Sequence, residues 1–206
     1  MKFPMHQKAA DTMLRGLRRP ETLLVGPRAA RPRRCFTTTD LSRHGTVLGG
    51  ERITTQNRAT FEAWYDLVGA VAAGRAADVD VAALRAIVAD ECVFRPPTYF
   101  KPWTGGDEAT VLLSCAAEVF GDSFRYARQW LSPDGREWAL EFAADVGASG
   151  RGIDGIDLVS LDDAGKIRDF TVLARPPSGV AALKDIMMKK VPPRPLAYKA
   201  KRALGF

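Results

Sequence analysis

A carboxylate in the middle of an apolar strand constrains this chain more than any other feature. From Ile153 to Pro177 the sequence reads IDGIDLVSLDDAGKIRDFTVLARPP. Ile156, Leu158 and Ser160 alternate with Asp157, Val159 and Leu161, which is the period of a strand. Asp162-Asp163-Ala164-Gly165 supplies a turn, with Gly165 free to take a positive φ. Ile167, Phe170, Val172 and Leu173 begin a second strand, and Arg175-Pro176-Pro177 stops it because proline cannot donate to a ladder. Asp157 must then be paired, protonated or at a rim, since burying an isolated carboxylate is costly.

The residues before this hairpin supply its sheet and its helices. Thr55-Gln-Asn57 can cap a helix running from Arg58 to about Arg75. Phe61, Trp64, Tyr65, Val68 and Val71 give that helix a wide apolar stripe. A short helix follows over Val81 to Val88, then a strand over Cys92 to Arg95. Pro96 to Gly106 is a rigid aromatic loop holding Tyr99 and Trp103. Asp107 caps a third helix, Glu108 to Phe120. After Gly121 the period becomes two. One strand spans Ser123 to Leu131, with Phe124, Tyr126, Arg128 and Trp130 on one face. The next spans Trp138 to Val146, with Trp138, Leu140 and Phe142 on one face and Ala139, Glu141, Ala143 and Asp145 on the other. A last helix runs from Ser178 to about Lys190. Helices first and antiparallel strands after predict an α+β fold, with helices on one face of a bent sheet.

Charge is unevenly placed. The net charge of +6 belongs to the ends. Residues 1–50 hold ten Lys/Arg and three Asp/Glu, and residues 184–206 hold seven basic side chains and one acid. Residues 51–183 hold 13 basic and 20 acidic side chains, so the body is acidic and does not suit nucleic acid. No apolar run approaches the roughly 20 residues of a membrane span, and no secretory signal is evident; a cytoplasmic protein is expected. The chain divides into a disordered basic leader over 1–53, or a start codon placed too early, a domain over 54–177, and a C-terminal helix and basic tail over 178–206. His6 and His44, the only histidines, lie in the leader. The body therefore lacks Ser-His-Asp and Cys-His catalysis and most transition-metal chemistry. Cys35, Cys92 and Cys115 are widely spaced and odd in number, which suits free thiols better than disulfides or zinc. Neither metal nor cofactor is expected.

Four stretches in this order resemble a known family: FEAWYDLVGAVAAGR, LRAIVADECVFRPP, WTGGDEATVLLSCAAEVF and GIDLVSLDDAGKIRDFTVLARP. From about Arg58 to Pro176 the chain resembles the nuclear-transport-factor-2-like superfamily, in its SnoaL-like and ketosteroid-isomerase-like branch. The resemblance implies a cone-shaped α+β barrel around a deep apolar pocket, commonly a homodimer. It puts Asp157 where ketosteroid isomerases place a protonated acid that donates to a developing oxyanion. The isomerase base would fall on Arg95, which cannot abstract a proton, and the phenol near Trp64 or Tyr65. Asp145 resembles one acid of the limonene-epoxide-hydrolase type, but the expected arginine is Ala143 and the second acid, near Val172, is absent. SnoaL-type cyclases use a pocket acid, for which Asp157 or Asp145 would serve.

Two functions stay open. One is a non-catalytic module, or one with a degenerate catalytic set, that binds a small apolar ligand. The other is a cofactor-independent isomerase, cyclase or hydrolase acting on a small apolar or polyketide-like substrate. In both, Asp157 and Asp145 are the candidate acids. Phe61, Trp64, Tyr65, Arg95, Tyr99, Trp103, Glu141 and Ala143 are the candidate pocket residues.

Overall fold

The hairpin of Ile153–Pro177 forms as the alternation predicts, and the sheet grows outward from it. The computed structural model describes residues 45–191 apart from 77 and 78. The leader before Gly45 and the tail after Val191 lie outside the described residues. Within them the order is β1 (Val47–Gly49), α1 (Thr55–Ala72), α2 (Val81–Ala86), β2 (Val88–Arg95), β3 (Trp103–Thr104), α3 (Gly106–Phe120), β4 (Arg125–Leu131), β5 (Glu137–Asp145), β6 (Gly152–Leu161), β7 (Ile167–Arg175) and α4 (Pro177–Lys190).

The strands form one curved sheet in the order β1-β4-β5-β6-β7-β2-β3. The sheet is mixed rather than purely antiparallel. β2 runs parallel to β7 and β1 parallel to β4, each pair joined through intervening helices, as a parallel pair requires. Gly45–Gly50, which reads as loop, contains the three-residue strand β1 instead. A three-residue edge is too short to show a period.

Capping chemistry sets the helix ends. Thr54 is the N-cap of α1, its hydroxyl accepting from the Asn57 backbone N–H. Asp107 does not cap α3; Gly105 holds that place. Asp107 sits in the first turn and accepts from Arg85 Nε over 2.7 Å, tying α2 to α3. Two buried polar residues of α1 hold the hairpin turns. Asn57 donates to the Asp134 carbonyl over 3.0 Å and Thr60 to the Gly165 carbonyl over 2.6 Å. Their burial leaves no polar atom unsatisfied, which is why it is tolerated.

Pleat parity decides the faces. On β6, Ile153, Asp157, Val159 and Leu161 are buried, while Asp154, Ile156 and Leu158 are exposed. On β5, Trp138, Leu140, Phe142 and Ala144 are buried. Against this concave face pack α1 and α3. Phe61 meets Trp138 edge-on at 5.2 Å, and Trp64 and Phe94 lie 5.3 and 5.7 Å from Phe170.

A bulge interrupts β4 between Tyr126 and Gln129. Tyr126 lies across from Phe142 and Gln129 across from Leu140, so both point inward, whereas Trp130 lies across from Ala139 and points outward. The single face expected for Phe124, Tyr126, Arg128 and Trp130 is thus split in two. An extra residue reverses parity, and periodicity read along one strand cannot show it.

Candidate functional site

The helices do not fill the concave face. Between α1, α3, α4 and the sheet lies a cavity lined by Trp64, Phe94, Phe120, Phe142, Asp157 and Phe170, among other apolar side chains. Counted as room for the centres of water-sized molecules it holds about 100 Å³, against the ~10–15 Å³ that one water needs. Gly155 lets Phe142, on the cavity wall, pack close against β6. A Cβ there would come within 2.4 Å of both the Phe142 ring and the Leu173 carbonyl.

Among the described residues Asp157 is the one acid on this wall. It lies on β6 between Leu140 of β5 and Val172 of β7, and is 5% exposed. The Tyr126 hydroxyl donates to its Oδ2 over 2.8 Å. Burial raises its pKa from 3.8 to about 7, and the bond from Tyr126 opposes that rise. A desolvated carboxyl keeps its proton because the charged form loses most from leaving water. At neutral pH the group therefore titrates, and in its acid form it has an O–H to give.

A short network surrounds it. The Trp64 indole N–H donates to Tyr126 over 3.1 Å. The Tyr65 hydroxyl donates to Gln129 Oε1, and the Tyr65 and Tyr126 rings lie 5.6 Å apart. Burial, with the nearby Asp157 charge, pushes both phenols well above their ordinary value. Tyr126 carries the contact to Asp157, yet it is absent from the residues singled out by sequence. Its signal was present as an aromatic in a period-two run, but the unseen bulge grouped it with Arg128.

The other residues singled out by sequence go elsewhere. Glu141, Ala143 and Asp145 share parity with Ala139, and so lie on the convex face opposite Leu140 and Phe142. Glu141 is bound there by Arg128, one contact being 2.8 Å, and this pair holds the Glu141 carboxyl below its usual range. Asp145 is exposed at the end of β5, its backbone N–H bonded to Ser123. The small side chains beside these acids mark an outer surface. The large apolar ones were needed to fill the concave side.

Arg95 is likewise outside, paired with Asp169 on the neighbouring strand. Phe61 is fully buried in the core beneath the cavity rather than on its wall. Tyr99 is 38% exposed, its hydroxyl on the Met188 sulfur and Lys184 over its ring at 5.6 Å. Trp103 packs on the core from β3. Of the ten residues singled out, Asp157 and Trp64 line the cavity. Sequence reasoning passed over Phe94, Phe120, Phe142 and Phe170, which line it too and read only as core.

Cys92 is buried, and burial raises its thiol to about 12, which leaves no thiolate for nucleophilic work. Among the described residues no group of three His, Cys, Asp or Glu side chains could hold a metal ion. No helix among them is long and apolar enough to cross a membrane.

Comparison with known proteins gives solved structures alone. No family model matches the chain, and no curated protein does. A steroid delta-isomerase from Pseudomonas aeruginosa is 35% identical, covering 72% of this chain and 97% of its own, with a TM-score of 0.58. An uncharacterised protein with a cystatin-like fold from Silicibacter pomeroyi is 34% identical, covering 71% of this chain and 96% of its own, with a TM-score of 0.57. An NTF2-like protein of unknown function from Mesorhizobium loti is a more distant likeness, 17% identical, covering 60% of this chain and 96% of its own, with a TM-score of 0.48.

Proposed function

Because this chain belongs to the nuclear-transport-factor-2-like superfamily, in its SnoaL-like and ketosteroid-isomerase-like branch, we propose that it binds a small apolar ligand bearing one oxygen, to which Asp157 donates a hydrogen bond. The observation that carries this reading is a single carboxyl on an otherwise apolar wall. Apolar walls supply affinity and one polar group fixes orientation. Proton abstraction beside a donating Asp157 would need a second group as base, and among the described residues none accompanies it on the wall. Arg95, at the position where the family resemblance implies the base, is engaged by Asp169 on the other side of the sheet. The module is thus a binder with a degenerate catalytic set.

A second reading has one observation in its favour. Asp157 titrates at about 7, where a general acid works best. Cofactor-independent isomerisation or cyclisation of a small apolar or polyketide-like substrate would use it so. Product formed from such a substrate, and lost in Asp157→Asn, would favour this reading; saturable binding without turnover favours the first.

The test uses 1-tetralone, a bicyclic ketone with one oxygen, and binding measured by calorimetry. Affinity is expected to be greatest below pH 7 and to fall above it, because ionisation removes the O–H and sets a negative oxygen against the carbonyl. Asp157→Leu, which has no donor, is expected to bind about tenfold more weakly at pH 6, the worth of one hydrogen bond. Equal affinity in Asp157→Leu, with no pH dependence in the wild type, would remove Asp157 from the reading.

We also infer a homodimer through the convex face of the sheet. Ile156 and Leu173 are cross-strand partners, and with Leu158 they expose 37%, 57% and 40% of their surface. No helix among the described residues covers them. Arg128–Glu141 and Arg175–Asp154 pairs flank this ridge, and a two-fold axis through it would set the apolar patch against its own copy. Leu173→Glu is expected to convert a dimer to a monomer in light scattering while leaving the circular dichroism unchanged. A wild type that is monomeric at high micromolar concentration sinks the inference.

A further inference from the structure

Trp64, Tyr126 and Asp157 join three elements, α1, β4 and β6, through two hydrogen bonds of 3.1 and 2.8 Å. Their directions follow from donor chemistry. An indole nitrogen can only donate, so the Tyr126 oxygen receives from Trp64. The hydroxyl has one hydrogen, and turning it back toward Trp64 would set two hydrogens against each other. It is therefore aimed at Asp157 Oδ2, which is made an acceptor. A neutral carboxyl carries one O–H. With Oδ2 receiving, the proton is favoured on Oδ1, because a carboxyl's carbonyl oxygen is a better acceptor than its hydroxyl oxygen. Among the described residues no buried side-chain oxygen lacks a partner, and Tyr126 is the group bonded to Asp157. Oδ1 must then meet the cavity that Asp157 lines, not closed wall.

We propose that Trp64 is a positioning residue: acting through Tyr126, it decides which oxygen of Asp157 carries the proton, and so turns the acid's O–H into the cavity. A bare carboxyl in an apolar pocket could hold its proton on either oxygen. In half of those arrangements the O–H would point at Tyr126 and leave the ligand facing only a lone pair. The relay removes that choice before any ligand arrives, which is preorganisation of a donor. Among the described residues the titratable groups facing Asp157 are Tyr126 from β4 and Tyr65 from α1. Burial keeps both phenols protonated at neutral pH, and Tyr65 is turned to Gln129. The register neighbours Leu140 on β5 and Val172 on β7 are apolar. The inference rests on the ligand reading above only for what the O–H meets; the proton's place is set in the free protein.

The experiment follows the Asp157 carboxyl by carbon-13 NMR in wild type, Trp64→Phe, Tyr126→Phe and the double variant, all without ligand. Phenylalanine keeps most of the indole's apolar volume and removes its N–H. The Tyr126 hydroxyl is then free to receive from the acid as well as donate, which favours the neutral form. The titration midpoint is expected to rise by about half to one pH unit in Trp64→Phe, the worth of one net hydrogen bond. It rises in Tyr126→Phe also, and adding Trp64→Phe to that background moves it no further, because the relay is already cut. In wild type the Trp64 indole N–H resonance follows the same midpoint as Asp157, and in Tyr126→Phe it no longer does. This needs no Trp64 substitution and decides the matter should Trp64→Phe fail to fold. A midpoint unmoved by Trp64→Phe, or moved equally in both backgrounds, overturns the proposal. So does an indole resonance indifferent to Asp157 in wild type. If 1-tetralone fails to bind wild type, the ligand reading falls alone, because the titrations still decide the relay.

Discussion

Asp157→Asn is expected to stabilise the fold by about 4 kcal/mol at pH 8 and to change it little at pH 4. The folded carboxyl titrates at about 7 and the unfolded one at its ordinary 3.8. Each pH unit of that gap is worth about 1.4 kcal/mol. The sign follows from proton counting. Between the two values the unfolded chain has released its proton and the folded chain holds it, so stability falls as pH rises. The loss begins near pH 4 and levels above pH 7. Asparagine has no charge to bury, can still accept from Tyr126, and should give a flat profile across that window. Urea unfolding of both proteins at pH 4, 6 and 8 measures this. Parallel profiles would mean that Asp157 is solvated and charged in the folded state, and the donor proposed above would be lost with it. A residue kept at such a cost is more readily explained by a ligand than by the fold.

The fold was legible in the sequence because its signals are local and repeated. Helix stripes such as Phe61, Trp64 and Val68, and turns such as Asp162–Gly165, each state an element and a boundary. Asp157 stood out for the same reason, as a charge that broke an apolar alternation. What could not be read was which face of each strand turns inward. On β5 the acids Glu141 and Asp145 beside alanines read as a wall open to ligand; the helices settled the matter by covering the other face. On β4 the one extra residue between Tyr126 and Gln129 turned Trp130 to the face opposite Tyr126. Arg95 was placed by resemblance alone, and Asp169 on the adjacent strand holds it outside. The relay from Trp64 joins positions 62 and 31 residues apart, and nothing in a single sequence marks such a contact.

Phe170→Ala is expected to cost about 3–5 kcal/mol, while its neighbour Thr171→Ala stays within about 0.5 kcal/mol. Phe170 is 1% exposed and packs, rings tilted, against both Trp64 and Phe94; Thr171 is on the convex face, partly exposed. Consecutive strand residues point to opposite faces, so a register one residue out would exchange the two outcomes. For a domain of this size the larger loss lowers the melting temperature by about 10–15 °C. Phe170 also walls the cavity, and its truncation enlarges a space that is apolar already. Such a space stays dry and takes apolar molecules, so a ligand bulkier than 1-tetralone, such as 2-acetylphenanthrene, should stabilise Phe170→Ala more than it stabilises wild type. That result would show that one ring both seals the core and limits ligand size. A large loss of stability with no gain for the bulkier ketone would mean that the core collapses into the gap, and that Phe170 supports the fold without bounding the pocket.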